Sequence, residues 1–78
     1  MIKKYTLEKY GTTHYSMSIR QILSVQMQGN DLVMWVDSLG PEERLWTFTS
    51  VFTGDSAPNA RYIGTVQDKS LVYHVFAS

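Results

Sequence analysis

The stretch QILSVQMQGNDLVMWVD, residues 21–37, decides the fold. Two runs of alternating apolar and polar residues flank Gly29-Asn30, and that dipeptide suits a two-residue β-hairpin loop. A type I′ turn there, with positive φ at both residues, fixes the register. Gln28 then faces Asp31, Met27 faces Leu32, Val25 faces Met34 and Leu23 faces Val36. The face made of Leu23, Val25, Met27, Leu32, Met34 and Val36 is wholly apolar and reads as core. The opposite face carries Ser24, Gln26 and Gln28 against Asp31, Val33, Trp35 and Asp37, with Ile22 at its end. It is polar apart from Ile22, Val33 and Trp35, the alternation of a half-buried sheet. Trp35 admits two readings: a member of a second core layer, or a partly exposed anchor for a partner.

Outward from this hairpin, short strands follow at roughly even spacing. Residues 2–8 read as a first strand, with Ile2, Lys4, Thr6 and Glu8 on one side and Lys3, Tyr5 and Leu7 on the other. Charges on both faces suit an edge. Residues 9–11 make a turn. Residues 12–19 are rich in Thr, Ser, Tyr and His and favour a second strand, with a helical turn over residues 18–22 as the alternative. Beyond the hairpin, the Gly-Pro pair and charges of residues 38–44 mark a loop. Residues 45–54 alternate strongly, with Trp46, Phe48, Ser50 and Phe52 on one side. Residues 54–60 form a surface loop. Residues 61–68 make a strand whose Gly64 signals a bulge or a close backbone approach, and residues 71–76 make the last strand. Six or seven short strands without helical periodicity indicate one all-β domain over residues 1–78. The expected architecture is a small, strongly curved antiparallel sheet forming a barrel or compact sandwich.

Composition narrows the function classes. A chain of 78 residues is 44% hydrophobic and 13% aromatic, values of a folding domain rather than a disordered segment. Its core is small, so stability rests on good packing or on oligomerisation. Seven basic and seven acidic residues give zero formal net charge, which argues against nucleic acid as the main partner. No cysteine is present, so no disulfide framework exists. The opening MIKKYT is not followed by an apolar run of signal-peptide length, and nothing approaches the roughly 20 apolar residues of a membrane span. Secretion by the usual route is therefore not expected.

No catalytic or metal motif stands out. His14 and His74 lack cysteine or further histidine ligands, and His74 reads as a packed residue with satisfied nitrogens rather than a catalytic base. Glu42 and Glu43 are neighbours and would point apart on an extended segment. Gly54-Asp55-Ser56 lacks the lysine of a phosphate-binding loop. Its backbone amides, with Arg61, leave an anion site open. The expectation is a protein that is not an enzyme and needs no cofactor or metal. Contact candidates are Val33 and Trp35 on the second hairpin face, together with Glu42, Glu43, Arg44, Asp55 and Arg61 on the loops around it.

The segments IKKYTLE, ILSVQMQ, LVMWVD, FTSVFTG, YIGTVQ and LVYHVF, in that order, resemble a family of small uncharacterised proteins of tailed bacteriophages and prophages. YIGTV and the terminal HVF carry the resemblance most specifically. Members usually have a Gly-Thr-Gly-His-like turn after the aromatic strand and an acid after the final phenylalanine. This chain has Phe52-Thr53-Gly54-Asp55 and Ala77 there, so a ligand role for that turn does not carry over. The resemblance implies a phage origin and action in the host bacterial cytoplasm. Very small phage proteins acting there often bind and block a host component, including CRISPR and other defence complexes, so the expected partner is a host protein or complex. A homo-oligomer that sequesters a nucleotide signal through Arg61 and the Gly54 turn, and a minor structural or assembly protein of the virion, are the alternatives.

Overall fold

A computed structural model describes residues 1–41 and 43–78. Seven strands lie among them: β1 (Ile2–Leu7), β2 (Gly11–Met17), β3 (Ile19–Gln28), β4 (Asp31–Ser38), β5 (Arg44–Phe52), β6 (Arg61–Asp68) and β7 (Leu71–Ala77). The fold is all-β and antiparallel. Its hydrogen bonding is divided between two sheets, one ordered β1-β4-β3 and the other β2-β5-β7-β6, in place of the single doubled-over sheet expected from strand spacing. The alternative helical turn over residues 18–22 does not form, since β3 begins at Ile19.

The core lies between the sheets. Leu7, Leu32, Met34 and Val36 come from the three-stranded sheet, and Met17, Phe48, Val66, Val75 and Ala77 from the four-stranded one. Each set alternates along its strands, as a sheet with one buried face requires. Ser50 is buried among them, and its hydroxyl is satisfied by donating to the Lys9 carbonyl at 2.8 Å.

The hairpin keeps its loop length but not its expected turn or its full register. Gln28 pairs with Asp31, Met27 with Leu32 and Val25 with Met34. Gly29 has φ of 61°, but Asn30 is not among the residues with positive φ. The turn thus has the φ pattern of type II′, with glycine at its first central position, rather than type I′. Further along, two irregularities in β3 displace the register, one between Ile19 and Gln21 and one between Ile22 and Ser24. The second puts Ile22, not Leu23, opposite Val36. Leu23 is therefore not core: it is 44% exposed. An inserted residue at a bulge leaves the ladder, and the alternation beyond it changes face.

A matching irregularity occurs in β6 between Tyr62 and Gly64. Gly64 also makes a close approach, because a Cβ there would stand 3.4 Å from Val25 Cβ and Cγ2. The edge strands β3 and β6 of the two sheets meet at this point.

Candidate functional site

Two places combine surface access with chemistry. The first is the outer face of the three-stranded sheet, on the side of β4 away from the core. Thr6 and Gln26 flank Val33 there, and Lys4 and Ser24 flank Trp35. Lys4 Nζ donates to Gln28 Oε1 at 2.7 Å. Lys4 stands level with Trp35 and Gln28 level with Asp31, so this bond crosses β4 over Val33. Alongside it, Gln26 Nε2 donates to Ser24 Oγ at 3.0 Å. The strap explains why Val33 is only 1% exposed although it stands outside the core cluster. Val33 consequently offers a partner almost no surface. Trp35 is half-buried on the same face and also lies outside the core cluster. No helix or third sheet among the described residues lies over it. At the end of this face the N-terminal ammonium bonds Asp37 Oδ1 at 3.3 Å and the Ser38 carbonyl at 2.9 Å, which ties β1 to β4.

The second place is a cleft of about 280 Å³ where the sheets part, at the end of the β3–β6 contact beyond Val25 and Gly64. Its apolar lining includes Ile22, Trp46, Ile63 and Ala77, and its polar lining includes Arg20, Arg61 and Tyr62. Arg20 and Ile63 are the residues passed over by the register shifts of β3 and β6. Bulges of this kind re-aim side chains at sheet margins. Trp46 is fixed in the cleft by two contacts: its Nε1 donates to the Met17 carbonyl at 3.1 Å, and the Arg44 guanidinium carbon lies 3.4 Å from its ring centroid. That stacking is a cation–π contact. All three arginines of the chain thus gather around one tryptophan.

The remaining sequence candidates scatter. Glu42 lies outside the described residues. Glu43 is exposed and shares a shallow neighbouring depression with Arg44 and Trp46. Asp55 serves the backbone, its Oδ2 accepting from the Phe52 amide at 2.9 Å. Arg61 does not meet the Gly54 turn: it pairs with Ala77, whereas Phe52, just before that turn, pairs with Tyr73. Four strand residues separate these levels, about 13 Å. Within one chain the Gly54 turn and Arg61 therefore stand at different levels of the sheet.

The histidines are also apart. His14 faces Thr47 and His74 faces Val51 along β5, again about 13 Å of strand. His74 Nε2 lies 2.7 Å from Thr53 Oγ1 and its Nδ1 lies 3.0 Å from Thr65 Oγ1, which itself lies 2.6 Å from the Tyr62 hydroxyl. Both ring nitrogens are engaged by hydroxyls, and no carboxylate orients the ring in this chain of contacts. His14 Nδ1 has Thr47 Oγ1 at 3.0 Å. Among the described residues no three His, Cys, Asp or Glu side chains converge as a metal site would require.

Arg20, Trp46 and Tyr62 are the site residues that sequence reasoning passes over. Arg20 and Arg61 are 41 positions apart in the chain, and only the approach of β3 to β6 brings them to one cleft. The chain matches no curated protein and no solved structure. It matches over residues 1–78 the family model described as Domain of unknown function (DUF7352), and it belongs to that family.

Proposed function

We propose that the chain is a phage-encoded, non-enzymatic binding protein that inhibits a bacterial host component by protein–protein contact in the host cytoplasm. The proposed target class is a defence complex, CRISPR or another immune assembly. The observation that carries the contact reading is Trp35: a half-buried indole in the middle of an outer sheet face, ringed by Lys4, Ser24 and the Lys4–Gln28 strap. A large aromatic set in a polar surround is the composition of an interface anchor. The two sheets, hydrogen-bonded separately and touching along β3 and β6, are read as a compact sandwich. Such a scaffold would hold this face rigid. The phage origin and the target class rest on the sequence resemblance.

Affinity capture from infected host cells with the wild-type chain and with Trp35→Ala tests this reading. A reproducible host protein should be retained by the wild type. Trp35→Ala should lose it, by roughly 30-fold or more in affinity if Trp35 is a hot spot. The melting temperature should fall much less than for a core truncation. Equal capture by both chains, or recovery of the chain chiefly in purified virions, would overturn it.

A further inference from the structure

We propose that the cleft between β3 and β6 binds a small organic anion with a flat apolar body, its carboxylate or phosphate held by Arg20 and Arg61. This inference is independent of Trp35 and of any protein partner. The cleft opens at the margin of the inter-sheet core, so Ile22, Trp46 and Ile63 form an apolar floor continuous with that core. A flat apolar body has these three side chains to lie against. The volume, about 280 Å³, stands at the small end of ligand pockets and suits one or two fused rings carrying a single charged group.

Charge supplies the other half of the argument. The whole chain is formally neutral, yet Arg20 and Arg61 line the cleft while Arg44 covers Trp46 beside it. The ion pair found among the described residues is elsewhere, between the N-terminus and Asp37. Two guanidinium groups beside apolar side chains, with no carboxylate among the described lining residues, favour an anionic ligand. Arginine's planar donors match carboxylate and phosphate oxygens in pairs. Two irregularities produce this arrangement. The register shift around Arg20 takes it out of the β3 ladder, and the shift around Ile63 does the same in β6, on the two strands that face each other. Either strand in regular register would change which residues reach the cleft.

The test is isothermal titration of the full chain with adenosine monophosphate and with indole-3-acetate. Adenosine, indole and inorganic phosphate serve as comparison probes. At least one of the two anions should bind, at least about tenfold more tightly than its uncharged counterpart, with affinity falling as salt is raised. Arg20→Gln and Arg61→Gln should each weaken that binding by about tenfold while the melting temperature of the unliganded chain stays unchanged. Binding of the adenylate alone would identify phosphate as the charged group, and binding of the indole acid alone would identify carboxylate. Absence of binding by both at millimolar concentration overturns the proposal. So does binding that both variants retain. If the arginines serve only to keep the β3 and β6 edges from pairing with other chains, the variants will self-associate and ligand affinity will not depend on either residue.

Discussion

Val36 and Val33 stand three residues apart on β4 and are 0% and 1% exposed, but they are dry for different reasons. Val36 belongs to the cluster that the two sheets close between them. Val33 faces outward and is covered by a lysine–glutamine hydrogen bond that crosses its strand. Burial alone therefore does not distinguish a residue of the core from one beneath a removable polar cover. On the inner face, apolar neighbours from another sheet do the covering, and they have no alternative place to go. On the outer face, Lys4 and Gln28 are both exposed and free to exchange their mutual bond for water or for groups of a partner.

Truncation on the inner face should give the largest effect. Met34 is 0% exposed and pairs with Tyr5 and Val25, so Met34→Ala removes a filled volume that neither sheet can readily collapse into. A loss of about 2–5 kcal/mol is expected, read as a reduced denaturant midpoint, and a chain of this length could lose most of its native population. A loss below about 1 kcal/mol would mean that the inter-sheet core is loosely filled.

A matched pair sharpens the contrast without changing side-chain volume. Val36→Thr puts a hydroxyl among apolar core side chains and should cost about 1–3 kcal/mol. Val33→Thr puts the same hydroxyl between Thr6 and Gln26, where cross-strand hydrogen bonds are available. It should cost less than about 1 kcal/mol. Equal losses in chemical denaturation would show that the two faces are equally apolar in effect, and the account of the strap would fail.

The inner face was legible from residues 21–37 because a strict alternation of Val25, Met27, Leu32, Met34 and Val36 admits one pairing across a two-residue loop. The loop length mattered there and the turn type did not, since both primed turns join the strands in the same register. The bulge near Gly64 was legible too, because glycine inside an apolar strand has few other uses. The irregularities at Arg20 and Leu23 left no such mark. Nothing local distinguishes RQILS from a regular strand; the breaks in register lie on the strand that pairs with β4 on one side and meets β6 on the other, partners that no local pattern reveals. The division into two sheets was hidden for a similar reason, since strand spacing carries no information on which strand edges join. The arginine cleft depends on both, and so its residues could be named only after the strands were placed.

The smallest expected effect bears on that hidden step. If β3 ran regularly, Leu23 would point inward opposite Val36, and replacing it by serine would remove a core side chain at a cost of several kcal/mol. With the register shift between Ile22 and Ser24, Ile22 takes the inward place and Leu23 is left at the surface. Leu23→Ser should then change stability by no more than about 0.5 kcal/mol, while Ile22→Ser, which takes a side chain from the margin of the core cluster, should cost distinctly more. Thermal melts of the two variants decide between the registers because a one-residue slip exchanges their roles. Arg20 leaves the ladder at a second shift farther along the same strand, and its level on β4 depends on the first, so a large loss at Leu23 with a small one at Ile22 would undercut the placement of Arg20 in the cleft as well as the inner face drawn here.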